Sequence, residues 1–170
     1  MTTNTQLIIA LLTILGSGVM SAIVTQRLAT ARSEREFKRK KLEELFLAVH
    51  KYCTVLSLAN LAWPDVAQGK IEYKQALDSF IKQDRTEYRG QYELSQMLIQ
   101  LYFPQLQTDF DKILEVRKTF TILERQLREQ HDRGGSISEF SDKFNAALIL
   151  IEKANEAFKK KVSVVASKIK

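Results

Sequence analysis

Glycine and proline are scarce in this 170-residue chain, with six of the first and two of the second. A sheet needs turns every few residues, and β-branched residues here seldom alternate with polar ones, so the sequence points to helices. Cysteine occurs once, at Cys53. That excludes an internal disulfide and suits a reducing compartment. Residues 2–26 contain no ionisable side chain, although 27% of the whole chain is charged. Polarity is therefore distributed in blocks. With 45% hydrophobic residues the chain is not of the disordered type, and its length suits one modest domain plus an anchor.

What is present begins with "LIIALLTILGSGVMSAIV", eighteen uncharged residues from Leu7 to Val24. As a helix this run spans ~27 Å, close to the ~30 Å of a bilayer's hydrocarbon. Behind it, "RLATARSEREFKRKK" (27–41) holds seven basic and two acidic side chains. A cleaved export signal would open with a basic residue, and "MTTNTQ" has none, although "VMSA" is a passable cleavage site. A buried helix of a soluble protein would rarely meet so abrupt a basic flank. The expectation is an uncleaved anchor in residues 1–26, a basic juxtamembrane helix in 27–41 and a helical bundle in 42–170. Arg27, Arg32, Arg35, Lys38, Arg39, Lys40 and Lys41 favour the cytoplasmic side and suit anionic lipid. The expected location is therefore the cell membrane, single-pass, with the N-terminus outside and the bundle cytoplasmic.

The formal net charge of +6 resembles a nucleic-acid signal until it is localised. Residues 27–41 carry +5 and the last fourteen, "AFKKKVSVVASKIK", another +5, while 42–156 carry −4 from 14 basic and 18 acidic residues. A nucleic-acid partner would more often be met by a basic folded body, so none is expected. The lysine-rich end "KKKVSVVASKIK" either lies on anionic lipid or is a solvated helix end complementing its dipole. The sequence leaves both open.

The anchor is not uniformly greasy. At about 100° per residue, Ala10, Thr13, Ser17, Gly18, Ser21, Ala22 and Thr25 fall within one half of the helix, opposite Ile8, Leu12, Leu15, Val19 and Ile23. Small residues let backbones approach, and Ser17-xxx-Ser21 and Gly18-xxx-Ala22 supply the spacing for a homo-oligomeric contact. Ordinary membrane-helix composition is the bland alternative.

Beyond the basic block, apolar residues recur at three- and four-residue steps. Leu42, Leu45/Phe46, Val49, Cys53, Leu56 and Leu61/Trp63 predict one helix, ended by "WPD" and Gly69. A short helix follows at about 71–83, interrupted by "QDRTEYRG". "ELSQMLIQLYF" is a third, stopping at Pro104, where a fourth begins with the stripe Leu106, Phe110, Ile113/Leu114, Arg117, Phe120, Leu123 and Leu127. "HDRGGS" closes it with Gly134 or Gly135, and "SISE" reads as a capping box of Ser136 with Glu139 before a last helix from Phe140 to Ile169. Three long helices and two short ones make an all-α bundle. Arg117 on an apolar stripe reads as a snorkelling or paired side chain, and Tyr102 and Phe103 as core aromatics.

Catalytic sets are hard to find. His50 and Cys53 lie three apart, but no HExxH or CxxC accompanies them, and no metal or other cofactor is expected. Cys53 on a buried stripe reads as an inert thiol. Neither Gly16-Ser17-Gly18 nor "RGGS" has a Walker lysine, and no GxSxG occurs. "RQLREQH" places Arg125 and His131 in an Arg-x5-His spacing that resembles the signature of HEPN ribonucleases, whose Arg and His act on RNA phosphate and 2′-hydroxyl. A polar residue is usual after the Arg, and Gln126 stands there; an exposed histidine at a helix end is the bland reading.

In layout, the anchor at 7–24, the "RSEREFKRKKLEEL" transition and the "LYFPQL" break resemble small bacterial single-pass proteins with a cytoplasmic helical domain. Some of these, including the membrane-anchored HEPN-like accessory protein of certain RNA-targeting CRISPR systems, are phage-defence effectors that assemble in the membrane. The leading expectation is a non-enzymatic, self-associating module of the bacterial inner membrane that docks a cytoplasmic protein. The resemblance also implies a rival, an oligomeric pore that depolarises the membrane in antiviral defence. A HEPN-type ribonuclease using Arg125 and His131 ranks third.

Overall fold

The computed structural model describes residues 3–82 and 85–169, with side chains for 24–79 and 88–169. Its elements are α1 (Thr3–Asn60), α2 (Trp63–Ala67), α3 (Tyr73–Lys82), α4 (Arg85–Tyr102), a 3-10 turn (Pro104–Leu106), α5 (Gln107–Asp132) and α6 (Phe140–Lys168). No strand occurs among the described residues, as the scarcity of turn formers implies. Residues up to Lys40 form one compact unit and Lys41–Ile169 a second, with α1 contributing to both.

In the first unit the side chains from Val24 to Lys40 are exposed apart from half-buried Ala31. Local pairs along the helix are among its interactions. Thr30 Oγ1 donates to the carbonyl of Gln26 (3.0 Å), and Arg32 Nε donates to Glu36 Oε1 (2.9 Å). Exposed i,i+4 pairs of this kind add only a few tenths of a kcal/mol each.

The second unit is the bundle. Phe110 of α5 meets Phe158 of α6 at 6.4 Å, and Phe120 meets Phe144 at 6.5 Å. As one number rises the other falls, so α5 and α6 run antiparallel. The same logic orients α1 and α2 against α6. His50 reaches Asn155 (3.4 Å), Trp63 stacks near Phe144 (6.4 Å), and Gln68 Nε2 donates to Ser141 Oγ (2.6 Å). Tyr52, Phe110, Phe120, Phe144 and Phe158 are each at most 1% exposed. They form two aromatic layers, one around Tyr52, Tyr92, Phe110 and Phe158, the other around Trp63, Tyr73, Phe120 and Phe144.

The apolar stripes are buried broadly as periodicity demands. Leu42, Leu45, Val49, Cys53 and Leu56 face inward on α1; Leu106, Phe110, Ile113, Phe120, Leu123 and Leu127 do so along the turn and α5; Phe140, Phe144, Ala147, Ile151, Phe158 and Val162 do so on α6. The punctuation differs from the sequence reading in four places. Pro64 opens α2 instead of closing α1, because a missing N–H costs nothing in a first helical turn, and Leu61 lies in the intervening corner, 58% exposed. Gly90 does not interrupt anything: it sits inside α4, where a Cβ would meet nothing within 4 Å. The Ser136–Glu139 capping box does not form. Ser136 Oγ pairs with Ser138 Oγ, Phe140 N–H donates to the Ile137 carbonyl, and α6 starts after Glu139. Tyr102 is 38% exposed while Phe103 is buried, because the residue before Pro104 is forced out of helix (φ −136°) and turns inward. Gly134 is the left-handed residue after α5 (φ +70°), its N–H donating to the His131 carbonyl.

One 18-residue window within Val24–Ala67 is apolar enough to cross a bilayer, with mean hydropathy 1.4 and 39% of it buried. The charges packed between Arg27 and Glu44 exclude any earlier start, so the window is residues 45–62. Its apolar side, Leu45, Val49, Cys53 and Leu56, lies in the bundle core. That stretch is a core helix. The uncharged 7–24 run is a separate feature upstream on α1.

Phe110→Ala should lower the stability of the full-length protein in detergent by about 3–5 kcal/mol, since it removes a ring shared by both sides of the core. Leu61→Ala should stay within about 0.5 kcal/mol, although periodicity alone would place Leu61 in the core. Chemical denaturation followed by near-UV circular dichroism checks both.

Candidate functional site

The Arg-x5-His pair lies on α5, and the helix itself separates its members. Six residues place Arg125 and His131 ~9 Å apart along the axis and about 120° apart around it. Both are exposed. The His131 ring is stacked on Tyr73 at 4.4 Å with 19° between planes, and its Nδ1 lies 3.6 Å from Asp132 Oδ1. One face of the imidazole therefore holds α3 against the end of α5, where a histidine also complements the helix dipole. Within one copy of the chain the two side chains do not converge on a common point.

His50 and Cys53 diverge in character although one helical turn joins them. His50 is exposed, close to Phe46 (6.5 Å between rings), and its Nδ1 lies 3.4 Å from Asn155 Nδ2. Asn155 is 8% exposed, and its Oδ1 has no hydrogen-bond partner among the described residues. Cys53 is 3% exposed, and burial pushes its thiol up to about 12, against a smaller opposing pull from Lys159. A thiol so disposed is neutral at any physiological pH and is neither nucleophile nor metal ligand as it stands. Among the described residues no group of three histidine, cysteine or carboxylate side chains gathers as for a metal ion.

The densest polar constellation went unnoticed in the sequence. Tyr52 of α1 and Tyr88 of α4 share a hydrogen bond between hydroxyls (3.0 Å) with their rings stacked at 4.8 Å. Arg117 of α5 lies over Tyr88 and Tyr92, 5.7 and 5.4 Å from the ring centres. The Tyr52 phenol is held well above its ordinary value, first by burial and then by the Tyr88 hydrogen bond; the Tyr88 phenol is raised too, chiefly by burial. Both stay protonated, so the cluster does no proton transfer near neutral pH. It binds α1, α4 and α5 through a cation–π clamp, and Arg117 is a paired side chain. Tyrosines at 52, 88 and 92 stand on two different elements, and only tertiary structure brings them to Arg117.

Of the basic block, Arg27, Arg32, Arg35, Lys38, Arg39 and Lys40 are exposed, and half-buried Lys41 donates to Glu44 Oε2 at 2.7 Å. Ala10, Thr13, Ser17, Gly18, Ser21 and Ala22 lie on α1, but their side chains fall outside the described residues. The described groups form a packed body with a basic segment and present no assembled set of nucleophile, base and oxyanion donor.

Cys53 should resist a thiol-reactive reporter in native protein at pH 8 and react at once in denaturant. Its raised value also couples to stability. The folded chain holds a proton that the unfolded chain releases above about pH 9, so stability falls as pH rises from about 9 towards 12. At pH 10.5 the Cys53 share is at most about 2 kcal/mol. Cys53→Ala should flatten that part of the slope in urea titrations at successive pH values; an unchanged slope would refute the assignment. No family model, curated protein or solved structure matches this chain.

Proposed function

We propose that this protein is a single-pass, membrane-anchored helical module that self-associates through its anchor and docks a cytoplasmic protein, without catalytic activity of its own. The observation that carries the reading is the order of blocks on one helix. An eighteen-residue uncharged run is followed by a fifteen-residue stretch with seven basic side chains, and then by a bundle that has a buried core of its own among the described residues. An uncharged run of this length suits a bilayer as its solvent. The basic block sets the orientation, with the bundle on the cytoplasmic side. Self-association rests on the small-residue face of the anchor, where Gly18-xxx-Ala22 and Ser17-xxx-Ser21 permit close backbone approach. Docking of a second protein rests on outward leucines that the bundle leaves exposed, Leu47 and Leu58 on α1 and Leu150 on α6.

Chemical crosslinking in native membranes tests the association. Wild-type protein should yield discrete oligomers, and Gly18→Leu with Ser21→Leu should abolish them while leaving the protein in the membrane fraction. A strict monomer in wild type, or an unchanged ladder in the double variant, would sink the self-association claim.

A further inference from the structure

The antiparallel register of the bundle decides which residues share an end. His50 stands level with Asn155, and Phe110 with Phe158. Continuing α1 back to Lys41 and α5 back to Leu106 therefore leads to the last two turns of α6, and the 3-10 turn packs on α6 as this requires. The end of α4 lies there too, with Tyr102 close enough to act electrostatically on Lys41. One end of the bundle thus gathers the start of its α1 segment, the close of α4 and the close of α6.

The chemistry of that end is uneven. From Ala157 to Lys170 the sequence has five lysines and no acidic residue. At about 100° per residue, Phe158, Val162, Val165 and Ile169 point to the core, while Lys160, Lys161, Val164 and Lys168 occupy an outward arc of about 100°. The burial pattern agrees: Val162 is 6% exposed, Val164 48%, and Lys160, Lys161 and Lys168 are exposed. Local carboxylates are engaged, Glu44 with Lys41 (2.7 Å), Glu156 with Lys159 (2.8 Å) and Asp109 with Lys112 (2.8 Å), while Asp111 accepts from Gln107 Nε2 (2.8 Å) and Glu43 is exposed. At the same end of the bundle the close of α4 exposes apolar side chains that a solvated helix end does not need, Leu101 at 65% exposure and Tyr102 at 38%.

We propose that this end of the bundle is a lipid-contact surface, in which Lys160, Lys161 and Lys168 engage the phosphate headgroups of an anionic bilayer while Val164, Leu101 and Tyr102 enter its interface. Lysines around a shallow apolar ridge are the composition that lies on anionic membranes, with charge attracting and apolar area holding. The inference rests on the membrane-anchored reading, since the anchor keeps the surface near its ligand. Chain length alone limits the separation: the seventeen residues from Val24 to Lys41 have a helical rise of ~26 Å. At such a tether length the local lipid concentration is high, and a weak surface contact suffices.

The test uses full-length protein in vesicles, carrying a nitroxide on Val164→Cys or, as a control about 22 Å further along α6, on Ile149→Cys. Vesicles are either pure phosphatidylcholine or contain about one-third phosphatidylglycerol. In the anionic vesicles the label at 164 should lose access to a water-soluble nickel complex and gain access to oxygen several-fold, and the label at 149 should stay aqueous. Lys160→Gln, Lys161→Gln and Lys168→Gln together should return the label at 164 to water, with far-UV circular dichroism showing the helix retained. A label at 164 that stays aqueous in protein floating with anionic vesicles overturns the lipid contact and leaves the anchor reading standing. Equal shielding in pure phosphatidylcholine, or shielding that survives the triple substitution, also overturns it, because the contact would then not be to anionic headgroups. Protein that fails to float after carbonate washing removes the anchor reading and this inference together.

Discussion

The packing of Phe110 against Tyr52 and Phe158 sets the register of the whole bundle. One ring on α5 touches α1 at 6.3 Å and α6 at 6.4 Å, and it is fully buried. Three long segments are thereby aligned at one level, and everything at either end follows from antiparallel geometry. Aromatic rings bury large areas and prefer tilted contacts, so such a layer specifies alignment more sharply than interchangeable leucines would. The second layer, Trp63 with Phe144 and Phe120, repeats the alignment several turns away and fixes the corner between α1 and α2. Two layers leave no freedom for α6 to slide.

How much of this was legible depends on whether one helix or several decide a residue's surroundings. The stripes of α1, α5 and α6 are one-helix properties, and Leu45, Val49, Phe110, Ile113, Phe144 and Ile151 could be read as core directly from their spacing. Corners are set by competition between local signals and tertiary packing. Pro64 illustrates the difficulty: the same residue can stop one helix or start another, and burial of Trp63 at 4% exposure selects the second outcome. Gly90 carries a breaker's propensity, yet its penalty of about 1 kcal/mol is small beside the burial of Leu98 and Ile99 on the same helix. The Tyr52–Tyr88–Arg117 cluster was illegible for a further reason. Its members come from three helices, and no spacing rule links residues 52, 88 and 117.

Polar groups inside the bundle are used for cohesion. Asn60 Nδ2 donates back to the Leu56 carbonyl at the end of α1, Ser141 accepts from Gln68, and the Tyr52 and Tyr88 hydroxyls satisfy each other. Arg117 sits above aromatic rings, where a weakly hydrated guanidinium loses less than an ammonium would. Histidines, the side chains most easily recruited for chemistry, are both used at seams: His131 stacks on Tyr73, and His50 meets Asn155. A side chain whose ring face or nitrogen holds two helices together is constrained against the motions that acid–base work demands. Both histidines therefore take part in the packing between helices.

Two apolar stretches on α1 now have different explanations, and the difference bears on what the helix is for. Residues 45–62 satisfy a bilayer test by composition, yet their burial is one-sided, with Leu45, Val49 and Leu56 inside and Leu47 and Leu58 outside. That amphipathic pattern belongs to a helix packed against protein on one face. The 7–24 run lacks such a pattern of charge, since neither of its faces carries an ionisable group. Its only segregation is between small and large side chains, a distinction that water does not make and that helix–helix packing in lipid does. Between the two lies the fifteen-residue stretch 27–41, with seven basic and two acidic side chains, which separates an uncharged segment from one that packs in a core. In the membrane-anchored arrangement proposed above, positive charge at that junction would favour the apolar run in lipid, the basic residues at anionic headgroups and the bundle in water on the same side as the charge.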